Sequence, residues 1–597
     1  MKFPLICLVF AFFIHFSPLP PNKWRRLPFF FTICYNKAAL PGKNSREVRK
    51  LKTSRIFRIF MMLLDTIALA LLRPFRKFSH LQFFGSQAPV QGEPHAVAGT
   101  RPEDLGIQAE LEVDGKPVES YQRSRPIHMP EGVPYGKTEG ILTFRGDPLR
   151  SGAAYGPFRK AGKLKIKWSV PTGRLAKGYG HGFWTGSGWT GQPLIARWGE
   201  QQRQAMNLFE QKKQKDGLIE VIYSTMDGNV YFIDLEDGQP TRETIKVGLP
   251  FKGAGALHPS LPLLHLGPGD SGAGEGEYAR AYLYSLIDGQ KLLEYGGQDP
   301  FAPRKFCGFD SSPLFDEASD TIIEPSENGI LYTFRLNSSI GGDGKLRINP
   351  EEIVKLRYQT ARSGEERYWL GMEDSPVIWK NYLYIADNGG TLLCIDLNTM
   401  SVVWAQDVAD DTNGSPVFSL EDGTPYLYLG TSLHWTASRR LKLADAPIFK
   451  INAITGEYEW IHSYFCNTVA GVSGGVQATC ALGQGSIEDL VIFPVARTPW
   501  VRSGLLVALD KKTGQEVWRY KMRGYSWSSP VALYAEDGTA YLVQGDSLGM
   551  LHLLDARTGT LVDKIALGAN IEASPAVFGN TIVVGTRGMK IFGIEIA

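Results

Sequence analysis

Three stretches of the chain place a tryptophan eight residues after an Asp or Asn: TLLCIDLNTMSVVW (Asp396, Trp404), IFKINAITGEYEW (Asn452, Trp460) and LLVALDKKTGQEVW (Asp510, Trp518). Each reads as an apolar strand, a tight turn and a second strand, which is a hairpin. NVYFIDLEDGQP at Asp234 and MLHLLDARTGTLV at Asp555 keep the acid and a glycine but lose the tryptophan. In such a unit the Asp caps the turn by accepting backbone amides, the glycine supplies a positive φ, and the tryptophan covers the seam to the next unit. A hairpin repeated at a period of about 50 residues implies a radial β array.

A second mark counts the units. Ahead of each innermost strand stands Ser-Pro or its equivalent: Gln192-Pro193, Ser312-Pro313, Ser375-Pro376, Ser415-Pro416, Ser529-Pro530 and Ser574-Pro575. Two large gaps each conceal one degraded unit, one entered near Ala256-Leu257-His258-Pro259 and one near Ser473-Gly474-Gly475. The sum is an all-β, eight-bladed propeller of four-stranded antiparallel blades. The last unit, from Ala576, supplies about three strands, and Leu164 to Val170 is expected to complete it, with Trp168 standing where Trp518 stands in its own blade. Ring closure by an early strand removes the open edges of a linear array. Gly199 to Asp216 and Pro268 to Glu277 read as surface insertions.

Charge divides the chain. Residues 1–80 hold 15 Lys/Arg against two acids, leaving 49 basic and 59 acidic residues in the remainder. A mildly acidic body argues against nucleic-acid binding. The apolar run to Phe16 resembles the core of a secretory signal, and a second run, Ile59 to Leu72, lies between basic flanks and is interrupted by Asp65. Both are short for a spanning helix. Residues 1–80 therefore read as a targeting or anchor extension, as an export signal beginning at Met61 or Met62, or as an interfacial or disordered extension. The body is expected outside the cytoplasm, in the periplasm or at the cell surface, with membrane attachment through this extension. Residues 81–140, rich in Gly, Pro, Gln and charge, read as a linker unable to order itself. The six cysteines show no CxxC, no adjacent pair and no CxxCH, and Cys466 and Cys480 read equally as a disulfide or as two buried thiols.

ILTFRGDPLRSGAAYG, Ile141 to Gly156, carries FRG-D-P-x-R-x-G through Phe144, Arg145, Gly146, Asp147, Pro148, Arg150 and Gly152. Followed by the strand LKIKWSV and the tryptophan-bearing repeats, it resembles the pyrroloquinoline-quinone-like β-propeller family over residues 141–597. That family includes a propeller lipoprotein of the outer-membrane barrel-assembly machinery and the quinoprotein alcohol dehydrogenases. The resemblance implies eight blades and, for dehydrogenase members, pyrroloquinoline quinone and calcium on the axis, an Asp base, a basic residue over the quinone and an adjacent-cysteine disulfide. This chain lacks the adjacent cysteines, and no local motif places the base.

Loops entering the innermost strands of a propeller converge on one axial funnel. The residue two before each Ser reads Thr190, Asp310, Glu373, Asn413, Trp527 and Glu572, with Asp374 one step further on. Such a set suits a polar ligand or a hard cation with oxygen ligands, or it merely caps turns. A glycine-rich loop, Gly178 to Pro193, spaces His181, Trp184 and Trp189 with small residues, as a stacking site or as a seal of the ring closure. His434-Trp435, Arg497 to Trp500 and Arg587 carry the same two readings. The function expected is a non-catalytic extracytoplasmic scaffold that binds a protein partner or cell-envelope ligand through its funnel or rim. The alternative is a divergent quinoprotein dehydrogenase using pyrroloquinoline quinone and calcium on the axis.

Overall fold

Eight antiparallel sheets stand around one axis in the computed structural model, which describes residues 81–83 and 92–597 apart from 132–133, 160–161, 179–181, 190, 273, 275, 362, 364–366, 435–442 and 470–472. Blades 1 to 7 span 194–246, 256–296, 314–359, 377–407, 417–467, 481–522 and 531–566. Blade 8 is built from Ala576–Phe578, Thr581–Thr586 and Lys590–Ile596, and its outer strand is Leu164–Pro171, paired antiparallel with Lys590–Ile596. The ring therefore closes as the repeat pattern requires. The insertion at 199–216 forms two short helices, Glu200–Ala205 and Glu210–Lys213.

The tryptophan seam is regular. Trp404, Trp460, Trp518 and Trp168 donate Nε1–H to the carbonyls of Ala453, Lys511, Ala556 and Leu235 at 3.2, 2.9, 3.2 and 2.9 Å. Each acceptor follows the turn-capping Asp or Asn of the next blade, where Asp510, for instance, accepts from the Thr513 amide at 2.7 Å. The turn glycines Gly456, Gly514, Gly559 and Gly238 lie under these indoles, so close that a Cβ would stand 2.4–2.8 Å from a ring or Cβ carbon. The spacing of eight thus holds an indole, a carbonyl and a bare glycine in one contact.

Residues 92–140 depart from the linker expectation. Leu81–Phe83 adds a strand to the outer edge of blade 5, and Gln108–Val113 adds one to the outer strand of blade 3, followed by Lys116–Val118. Between and beyond them the chain bonds to Ile454, Thr100 reaches Ala405, Met129 reaches Lys380 and Thr138 reaches Pro259. Ile127 and Met129 are buried. A stretch that cannot form a core alone orders by borrowing blade edges whose backbone groups need partners.

The 141–156 segment then enters the axis and touches every blade. Ile141 pairs with Ile195 of blade 1, and the Leu142 carbonyl accepts from Leu257 of blade 2. Thr143 Oγ1 donates to the Pro313 carbonyl of blade 3, and Pro148 and Leu149 accept from Ile378 of blade 4 and Phe418 of blade 5. Ala153 accepts from Val577 of blade 8. Two fully buried arginines complete the circuit. Arg145 donates to the carbonyls of Cys480 (2.9 Å) and Pro530 (2.6 Å) in blades 6 and 7, and Arg150 to those of Ser312 and Pro376, each at 2.8 Å. A cavity of about 150 Å³ lies against this hub, lined by Arg145, Asp147, Gln484 and Tyr534 among others.

Candidate functional site

Above the hub, a ring of hydroxyls fixes the loops that enter the innermost strands. The amides of Ser312, Ser375, Ser415, Thr479 and Ser529 donate in turn to the hydroxyls of Ser375, Ser415, Thr479, Ser529 and Ser574 at 2.8–3.2 Å, and the Ser574 amide reaches the Gly191 carbonyl at 2.9 Å. This ring corrects the register of one of the two hidden blades, blade 6. Blade 6 is entered at Thr479-Cys480, ahead of Ala481–Leu482, and not at Ser473-Gly474-Gly475. Blade 2 is entered at Ala254-Gly255, ahead of Ala256–Leu257. Counting two back from these points adds Gln477 and Lys252 to the funnel positions. Sequence reading missed both because neither blade carries Ser-Pro. The distance back from the first innermost-strand residue would have found them.

Lys252 changes the character of the funnel. Its Nζ stands 3.6 Å from Asp310 Oδ2 and 4.0 Å from Asp270 Oδ2, and over the rings of Trp184 and Phe306 at 5.8 and 5.6 Å. Burial opposes its charge, yet the charges of Asp310, Glu327 and Asp270 hold its pKa well above the ordinary range. Asp310 is 5 % exposed, and burial, with Glu373 and Asp270 nearby, raises its carboxyl to about 7 against the pull of Lys252. Glu327, on the loop beside it, is pushed far up by burial and by Glu373 and Asp310.

Glu373 is joined to blade 5 through an amide. Asn388 Nδ2 donates to Glu373 Oε1 at 2.9 Å and to Asp411 Oδ1 at 2.8 Å, and Asn413 Nδ2 donates to Asp411 Oδ2 at 2.7 Å. Asp411 Oδ2 also meets His434 Nδ1 at 2.8 Å. Burial would raise Asp411, but the bond and charge of His434 outweigh it, so the carboxyl is held below and the imidazole above their usual ranges. Asp374 lies apart from this network: it is buried and accepts from the Ala386 amide of its own blade at 3.2 Å. Glu572 is pushed up by burial, accepts from Asn570 at 2.7 Å and lies 3.7 Å from Arg587 Nε.

The other half of the funnel is aromatic. Trp189, from the loop entering blade 1, donates Nε1–H to the Gln477 carbonyl of blade 6 at 3.1 Å, and so crosses the axis. Its ring lies 6.0 Å from Trp527, which lies 5.7 Å from Tyr525, and the Arg497 guanidinium stands 4.2 Å over Tyr525. Trp184 sits on the hairpin of Arg174–Ala176 and Phe183–Thr185, 8 % exposed, with Lys177 Nζ 4.1 Å over its ring. Thr190, His181 and Trp435 lie outside the described residues.

A calcium-held quinone needs several unpaired oxygen donors converging on one point. Among the described residues no group of three or more His, Cys, Asp or Glu is arranged to hold a metal ion. Lys252 stands among the acids of blades 2 and 3, and His434 takes Asp411. These residues do not fit that group. Cys307, Cys394, Cys466 and Cys480 are all free and buried, so Cys466 and Cys480 are not bridged. Among the described residues no helix is long and apolar enough to cross a membrane.

Residues 502–597 match the family model described as outer membrane protein assembly factor BamB. A curated relative, outer membrane protein assembly factor BamB of Kangiella koreensis, is 39% identical over 204 residues, which are 33% of this chain and 44% of the relative. The match therefore spans less than half the length of that relative. Solved structures of similar chains include BamB from Moraxella catarrhalis (TM-score 0.45, 13% identity, 72% of this chain and 99% of that one) and a europium-containing methanol dehydrogenase (TM-score 0.38, 13%, 76% and 98%). The repeat, the family-model match and the curated relative all fit one family, the pyrroloquinoline-quinone-like β-propellers.

Proposed function

We propose that this protein is a non-catalytic β-propeller scaffold that works outside the cytoplasm and binds a protein partner or an envelope ligand on its funnel face. The observation that carries this reading is internal charge pairing: Asp310 and Asp270 face Lys252, Asp411 faces His434, and Glu572 faces Arg587. Carboxylates engaged in this way orient and hydrogen-bond a ligand more readily than they strip water from a hard cation. The name of the curated relative, outer membrane protein assembly factor BamB, supports a partner in that class of machinery. Attachment to a membrane through residues 1–80 is part of the proposal and rests on their sequence alone.

The test is reconstitution of the full chain with pyrroloquinoline quinone and calcium, followed by an assay of alcohol oxidation with a dye acceptor. The expected result is no turnover above the cofactor alone. Quinone-dependent turnover that Asp310→Ala and Glu373→Ala abolish would replace this reading with the dehydrogenase.

A further inference from the structure

In every blade the innermost strand runs away from the funnel face, so the loop between its second and third strands returns to that face. Nine large apolar side chains are exposed among the described residues, and four of them stand there. Trp500, Leu548 and Met589 lie on the second-to-third-strand loops of blades 6, 7 and 8, and Phe183 on the hairpin that leads from the closing strand to blade 1. The other five lie on outer strands or towards the opposite face.

Contacts join these loops into one strip. Arg497, at the base of the Trp500 turn, stands 4.2 Å over the ring of Tyr525, whose carbonyl accepts from the Ser547 amide at 2.8 Å. The Asp546 carbonyl accepts from Ile571 at 3.1 Å, and the neighbouring Asn570 carbonyl from Arg587 at 2.9 Å. Thr172 then donates to the Met589 carbonyl at 3.0 Å, and Thr185 Oγ1 to that of Arg587 at 3.1 Å. Charge along the strip has one sign. Arg174, Arg502, Arg523 and Lys590 are exposed and in no ion pair, with Arg174 lying 4.4 Å over the ring of Phe183. The two carboxylates on these loops are engaged within the protein: Asp546 is buried and accepts from the Leu548 amide, and Glu572 faces Arg587.

Apolar tips interleaved with unpaired cations match a surface that is anionic outside and apolar beneath, which an anionic bilayer offers. An acidic peptide uses the cations alone. The strand Leu81–Phe83 points the same way: it runs antiparallel to the outer strand of blade 5, which ends at the funnel face, so the chain enters it from that face, beside blade 6. The apolar run Ile59 to Leu72, with its basic flanks, ends shortly before it in sequence. We infer that the strip from Trp500 to Phe183 docks the funnel face on an anionic lipid surface, its four apolar tips in the interfacial layer and its cations on lipid phosphates. The inference rests on the scaffold reading and names lipid as its envelope ligand.

The experiment mixes the purified full chain with phosphatidylcholine vesicles, with and without phosphatidylglycerol, measures binding by flotation, and uses acyl-brominated lipid to quench tryptophans that enter the bilayer. Binding is expected to be tighter to the anionic vesicles, and quenching to fall in Trp500→Phe but not in the seam variant Trp518→Phe. Arg502→Gln should weaken binding about fivefold, the share of one cation near an anionic surface. Leu548→Ser should also weaken it, with the denaturation midpoint unchanged because the side chain is exposed. Quenching indifferent to Trp500→Phe, or binding indifferent to both Arg502→Gln and Leu548→Ser, overturns the inference; chains that still float are then held by residues 1–80, and the scaffold and its anchor stand. Equal binding to both vesicles overturns it too, as does displacement of the vesicles by polyglutamate, which assigns the strip to an acidic protein, or self-association lost in Leu548→Ser, which assigns it to a second copy. No binding to either vesicle removes the anchor along with the inference. Quinone-dependent turnover removes the scaffold reading and leaves the vesicle result where it is.

Discussion

At Asp310 two demands meet: a carboxylate inside the fold must be paired with a cation, and Lys252 supplies only one ammonium for Asp310 and Asp270 together. Burial wins, and the folded carboxyl is raised to about 7, above its ordinary value of 3.8. The sign of the stability effect follows. The folded state holds the proton over an interval where the unfolded chain has lost it, so this contribution is present below about pH 4 and fades as pH rises through about 7. Asp310→Asn imitates the protonated side chain. It should therefore flatten the pH dependence of the denaturation midpoint between pH 5 and 8, and at pH 8 should be more stable than the parent by about 1 kcal/mol or more. A variant less stable than the parent at pH 8 would mean that the Lys252 pairing outweighs desolvation. Lys252 itself was not legible from Ser-Pro marks. Blade 2 enters its innermost strand through Ala254-Gly255, and neither residue carries the Ser-Pro mark.

At four of the eight seams a blade holds its neighbour through one indole and one glycine, and that contact was readable because it depends on a fixed count along two strands. Gly559 has φ +69°, and a Cβ there would stand 2.4 Å from a Trp518 ring carbon. Gly538 has a similar φ of +83° with nothing within 4 Å. Both Gly→Ala changes incur the left-handed backbone cost of about 1 kcal/mol, and Gly559→Ala should lose a further 1–3 kcal/mol from overpacking. Urea midpoints of the two variants would measure the difference, and equal midpoints would show that the seam yields freely. Trp518→Phe should be milder, about 1 kcal/mol, because it keeps much of the buried area and loses the bond to Ala556. Blade 6 was misread for a related reason: Thr479 takes the place of serine in the hydroxyl ring, and a threonine without a following proline gives no mark in a scan for Ser-Pro. The outer strands added by Leu81–Phe83 and Gln108–Val113 were equally invisible, since their order comes from partner edges and not from their own composition.

For the molecule as a whole, closure has two independent locks, the hub at the centre and the paired strands of blade 8 at the perimeter. The hub motif was conspicuous in the sequence, but its work appears only where eight strand starts converge, because Arg150 gathers carbonyls from residues 162 and 226 positions away. Arg150→Lys keeps the charge and loses the fork, leaving buried carbonyls and a buried ammonium poorly matched. A loss of about 3–5 kcal/mol is expected, read as a lower denaturation midpoint. The perimeter lock can be tested by strengthening it. Lys165 and Glu595 face each other in the closing pair and both are at least partly exposed, so Lys165→Cys with Glu595→Cys can bridge without disturbing the core. The bridge would close a loop of about 430 residues, and constraint of so long a loop in the unfolded chain should raise stability by about 2–5 kcal/mol. Oxidised and reduced forms of the same double variant supply the comparison. If the cysteines fail to pair, blade 8 is not completed by Leu164–Pro171. If they pair without raising the midpoint, the ring opens elsewhere first, and the hub becomes the place to look.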